Sequence, residues 1–232
     1  MNTRSTVFLL TFALLFANCT GSSVCYGDFY NGRLENGVKL PLSGKNFKSY
    51  SLLLSNLKRT YVHGTVFEII LNSLDNVYQV NPCFRYQYGE TGKKKGGRFW
   101  PHYSHQNGCS VDFMVPLRDS ENSVVDLPTH LLNKYGYSVE LDANGRYKDY
   151  IIDFEAIALH IIELYKEAVR MGYGIADVII APEYHDELYK TQFGSELRQI
   201  TNQDSIWYTG SGPKVRHDDH YHVNFSIPCV EL

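Results

Sequence analysis

Five of the nine histidines in this chain fall in two short segments. The first holds His102 and His105 and runs through Gly108 to Asp112; the second, Arg216 to Phe225, holds His217, His220 and His222. Imidazole nitrogens and carboxylate oxygens are the ligands zinc prefers, and a catalytic zinc keeps one position of its tetrahedron for water. Histidines scattered through a core or over a surface have no reason to gather in this way. The grouping points to a mononuclear zinc site built by both segments.

Spacing says how each segment would have to fold. His220 and His222 are two residues apart, so in a strand they share a face, about 6.5–7 Å apart at Cα. Spacing alone leaves open which of them holds the metal. His105 and Asp112 are seven apart, an odd separation that puts them on opposite faces of one straight strand. They meet only if His105 lies on a loop that turns at Gly108, where glycine tolerates positive φ, and Asp112 lies in the strand beyond. His217 precedes the second strand and would reach the same centre from a loop.

Other elements must position these two segments. Val66, Ile69, Ile70 and Leu74 predict a buried-face helix over 64–76, and Ile157, Ile161, Leu164 and Ala168 a longer one from Phe154 to Met171, ended by Gly172. Alternation from Gln79 to Tyr88 predicts a strand interrupted by Pro82, and Asp177–Ala181 reads as a buried strand. Asp142–Gly145 signals a hairpin within 139–149, and a polar helix is expected from Pro182 to about Leu197. His130, His160 and His185 are isolated and read as packed or surface residues. Cys109 reads as a disulfide partner or a small buried residue. The sum is a single α+β domain: a small antiparallel sheet carries the zinc site and helices flank it.

Length and charge narrow the class. The chain has 232 residues, 44% of them hydrophobic, and a formal charge of -3. That balance argues against a nucleic-acid partner, which calls for a basic excess. Lys93-Lys94-Lys95 reads as a solvated loop. The apolar run Val7–Ala17 after Arg4 is about half of a membrane span and reads as an export signal over residues 1–24, leaving 25–232 as the mature domain. Phe16-Ala17-Asn18-Cys19 resembles a lipobox, so cleavage falls either before a lipidated Cys19, giving a membrane anchor, or plainly within 20–23. Four cysteines remain, Cys25, Cys83, Cys109 and Cys229, with three pairings open; Cys25 with Cys229 would tie the chain ends together.

Ser104-His105-Gln106-Asn107-Gly108 to Asp112, with His217-Asp218-Asp219-His220-Tyr221-His222-Val223, resembles the penicillin-insensitive murein endopeptidases. These belong to a wider group of zinc peptidases with lysostaphin-type enzymes, D-Ala-D-Ala metallopeptidases and Hedgehog N-terminal domains. Gly96-Gly97-Arg98-Phe99 and Lys214-Val215-Arg216 match in order. The resemblance implies zinc on His105, Asp112 and His222, His217 and His220 as catalytic residues, and His102 lining the substrate cleft. Between Phe99 and His102 the chain is one residue shorter than the family pattern, which leaves the role of His102 open. It further implies periplasmic or envelope hydrolysis of murein cross-links between D-Ala and a diamino acid. A murein carboxypeptidase, or a zinc-containing module that binds peptides without cutting them, are the alternatives.

Overall fold

The computed structural model describes residues 22–208 and 216–232; most of the export signal, and Cys19 with it, lies outside them. Five strands make the central sheet: β1 (Phe47–Ser49), β2 (Tyr86–Tyr88), β3 (Ser110–Met114), β4 (Gly174–Ile179) and β5 (His220–Ser226). Their spatial order is β4-β5-β3-β2-β1, antiparallel throughout except for the parallel edge pair β1–β2. Two two-stranded sheets and a four-stranded one accompany this sheet among the described residues, and the whole is the expected α+β domain.

The two central strands alternate strictly. Asp112 on β3 and His220, His222 and Asn224 on β5 share one face, and Val111, Phe113, Tyr221, Val223 and Phe225 fill the other. Helix α1 (Gly64–Val80) buries Val66, Ile69, Ile70, Leu74 and Val77 and is capped by His63, whose side chain accepts from the Thr65 N–H. Helix α2 (Phe154–Arg170) is capped by Asp153 and packs against α1 and the sheet's apolar face. It ends at Gly172, with φ +83, a conformation that favours glycine.

Three expectations are corrected. No strand occupies 79–85: α1 runs to Val80, Asn81 caps it, and β2 starts only at Tyr86. Pro82 does not interrupt a strand there; it lies just past the helix end, where the residue before a proline is driven out of the helical region. The Asp142–Gly145 turn forms, but the hairpin lies after it, pairing Arg146–Tyr147 with Tyr150–Ile152. The reason is that Asp142 Oδ1 accepts the N–H groups of Asn144 and Arg146, closing the turn on itself. The polar helix after Pro182 breaks in two, His185–Lys190 and α3 (Gly194–Asp204), because Thr191 is extended.

Cys25 and Cys229 form a disulfide that joins the ends of the domain. Cys83 is a free exposed thiol, and Cys109 is the small buried residue of the two readings given for it. Burial pushes the Cys109 thiol up to about 12, so it is inert.

Candidate active site

Strand register makes the first contact. His222 on β5 is the direct partner of Asp112 on β3, and directly opposed antiparallel residues have Cβ atoms about 4.5–5.5 Å apart. His222 Nδ1 lies 2.7 Å from Asp112 Oδ1. His105 arrives from the loop, as the odd spacing requires: its own φ is +67 and that of Gly108 is +80. A Cβ on Gly108 would stand 2.6 Å from Leu34 and 3.0 Å from the His63 nitrogen, so only glycine fits the turn. His105 Nε2 then lies 3.3 Å from the same Asp112 Oδ1, and the His105 and His222 ring centroids are 4.7 Å apart.

Hydrogen bonds on the far side of each ring decide which nitrogen faces inward. His105 Nδ1 donates to the Thr91 carbonyl at 3.3 Å, leaving Nε2 bare. His222 Nε2 sits 2.9 Å from Asn224 Oδ1. The Asn224 amide has one orientation, because its Nδ2 donates to the acceptor-only Asp177 carboxylate at 2.9 Å. Its Oδ1 must therefore accept, from His222 and also from Ser110 Oγ at 2.5 Å. His222 therefore donates through Nε2, and Nδ1 is the ring nitrogen turned to Asp112.

Asp112 is held in the same manner. Its Oδ2 accepts from Tyr137 Oη at 2.7 Å, and that hydroxyl accepts from the Glu90 N–H at 2.9 Å. Gly89 makes room for it: a Cβ there would lie 2.5 Å from Tyr137 Oη. Asp112 thus presents only Oδ1 to the centre. Burial works against its charge, but the surrounding histidines hold the carboxyl well below its ordinary range.

Two further arms complete the floor. Glu90 takes a forked pair from Arg59 at 2.5 and 2.6 Å and a third contact from His102 Nε2 at 2.8 Å. Burial works against the Glu90 carboxylate, yet His102 and Arg59 hold it down to about 2. On the other side His220 Nδ1 is tightly hydrogen-bonded to Asp219. Burial alone would depress His220, but the Asp112 charge and the Asp219 bond outweigh it and raise its pKa above the ordinary value. His217 is half-buried, its ring 4.8 Å from His220 and 6.5 Å from His222.

This donor set could hold a metal ion. Two imidazole nitrogens and one carboxylate oxygen converge, and His105 Nε2 is buried with no hydrogen-bond partner. One donor each from His102, His105 and Asp112 also falls within 4.8 Å of the others, but the Glu90 contact already engages His102 Nε2. These residues open on a cleft of about 2060 Å³.

A family model described as penicillin-insensitive murein endopeptidase matches residues 25–231. The chain belongs to that family. Among curated proteins no sequence matches it. Membership in the murein endopeptidases supports hydrolysis of peptide bonds in peptidoglycan and a place in the cell envelope. Among the described residues no helix is long and apolar enough to cross a membrane.

His102, His217, His220, His222 and Asp112 line the cleft, and His105 lies buried behind it against Asp112. Sequence reasoning missed Glu90, Arg59, Tyr137, Asp219, Asn224 and Asp177. Asp219 and Asn224 were open to discovery, one beside His220 and the other two residues beyond His222 on the same strand face. The other four carry no local signal, for each reaches the site from a distant segment.

Proposed function

We propose that this chain is a zinc-dependent murein endopeptidase that hydrolyses the cross-link between D-Ala and a diamino acid. His105 Nε2, Asp112 Oδ1 and His222 Nδ1 would hold one zinc ion. An ion held there would supply Lewis acidity, lowering the pKa of a water from 15.7 to about 7 and polarising the scissile carbonyl. His217, half-buried at the cleft and with its ring 4.8 Å from that of His220, takes the proton of the attacking water and returns it to the leaving amine. His220, whose charged form Asp112 and Asp219 favour against the cost of burial, donates to the developing oxyanion. His102, fixed by Glu90, lines the cleft as a substrate contact. Export through residues 1–24, with or without a lipid on Cys19, would deliver the enzyme to its substrate.

The convergence of His105 Nε2 and His222 Nδ1 on one Asp112 oxygen carries this reading. Its test is metal analysis of the purified protein joined to mass analysis of digested cross-linked muropeptides. One zinc per chain and dimers falling to monomers is the expected result. Single-residue losses would make it a carboxypeptidase. No cleavage by the zinc-loaded protein under any condition would overturn the enzymatic reading in favour of a binding module.

A further inference from the structure

Several lysines away from the cleft are paired, Lys45 with Asp75 at 2.7 Å, Lys48 with Asp126 at 2.6 Å and Lys190 with Glu187 at 2.6 Å, while Lys39 and Lys148 stand singly outside it. Unpaired lysines instead gather in one group at the cleft. Lys58, Lys94, Lys95 and Lys134 line it, and among the described residues none of them has a carboxylate partner. Lys93, beside them, reaches only the Arg98 carbonyl. The acids in the same cleft are mostly engaged: Glu90 with Arg59 and His102, Asp112 at the centre, Asp219 with His220. A chain of net charge -3 thus lines the wall of this cleft with more unpaired lysines than unpaired acids, Glu183 being the acid there without an ion pair among the described residues.

The segment that carries this wall is held in place. Gly96 N–H bonds to Lys93 O at 2.9 Å, Leu34 N–H to Lys95 O at 3.0 Å, and Gly97 N–H to Gln106 O at 2.8 Å. Farther along the same wall Trp100 is 84% exposed and Tyr103 77%, although both are large aromatics. Exposed apolar area rimmed by charge, inside a groove, marks a binding surface rather than random exposure. Like charges held together repel, and an anionic ligand relieves that repulsion.

We propose that this wall is the subsite for the carboxylate-bearing stem peptide of the substrate. Its free carboxylates lie against Lys94 and Lys95, with Lys58 nearby, and its methyl and methylene groups pack on Trp100. The proposal rests on the murein reading of the site and adds to it a preference for anionic over amidated cross-links. Exposed ion pairs are individually weak, so the two lysines together contribute about fivefold in affinity.

The test compares cross-linked muropeptide dimers bearing free carboxylates with the same dimers amidated there. For wild type, KM should be lower for the acidic dimer and should rise with salt. Lys94→Ala/Lys95→Ala should raise KM for the acidic dimer about fivefold with kcat unchanged, and leave the amidated dimer unaffected. Lys94→Glu/Lys95→Glu should raise it further. An unchanged KM in both variants, or equal handling of the two dimers by wild type, overturns the subsite while leaving the endopeptidase reading intact. If wild type cleaves neither dimer, the endopeptidase reading fails instead. Calorimetric affinities of the acidic dimer for wild type and the double variants then decide the subsite, and equal values reject it.

Discussion

His105 and His160 begin with the same defect and end in different chemistry. Both imidazoles are fully buried, and in both Nε2 lacks a hydrogen-bond partner. His160 bonds Tyr221 Oη through Nδ1 at 2.6 Å, and its ring packs against Tyr86 and Phe113 at 4.5 and 4.7 Å. Burial pushes it down to about 3, so it stays neutral and serves as a polar packing group. Burial also lowers His105, but there the Asp112 charge pulls the other way. A buried, unsatisfied nitrogen is therefore not enough to make a ligand. The deciding factor is whether other lone pairs point at the same spot.

The comparison breaks most directly at His105. His105→Ala should lose zinc and lose activity on the order of 10³-fold, the several kcal/mol a Lewis acid supplies. His160→Gln should keep both, and metal content with muropeptide cleavage rates checks the pair. If the two variants lose metal equally, the distinction drawn from their surroundings is wrong. Next in size, His220→Ala should retain zinc but lose activity by about 10²–10⁴-fold, as expected for removing a positioned acid–base group. Metal content that fell with activity would make His220 a ligand instead.

A smaller effect is expected one layer out. Asn224→Ala frees His222 to adopt either tautomer, so zinc affinity should weaken by about 10–100-fold, as for other groups that orient metal ligands. Competition with a chelator measures it, and the absorption spectrum of the cobalt form reports the altered ligand field. The acid response of His160 tests the other half of the comparison, through stability rather than activity. Its folded pKa is depressed, so the unfolded chain binds the extra proton between pH 6.5 and 3. Its contribution to stability is complete above 6.5 and is lost as pH falls towards 3, by about 1.36 kcal/mol per unit at most. His160→Gln should flatten the urea midpoint against pH in that window.

Much of the site could be read before folding was known. His105, Asp112, His217, His220 and His222 stood out by type, and their spacing foretold a loop at Gly108 and a strand through His222. Tyr137 could not be found that way. It reaches Asp112 after Lys134 and Tyr135 take left-handed φ of 51 and 59, a path no propensity rule foresees for such residues. Lys93-Lys94-Lys95 was legible only as a basic, glycine-flanked loop. Which surface that loop borders depends on contacts with Leu34 and Gln106, far from it in the chain or across a turn.

Residue types and short-range periodicity pointed to the donor cluster, the two long helices and the strand that carries His220 and His222, because those properties depend on neighbours a few positions away. The direction in which each donor points was settled by tertiary structure alone. Thr91 turns His105, Asp177 acts through Asn224 on His222, and Tyr137 turns Asp112. A hydrogen bond forms only between groups brought within about 3 Å, and strand register, set by burial across the whole domain, brings them there.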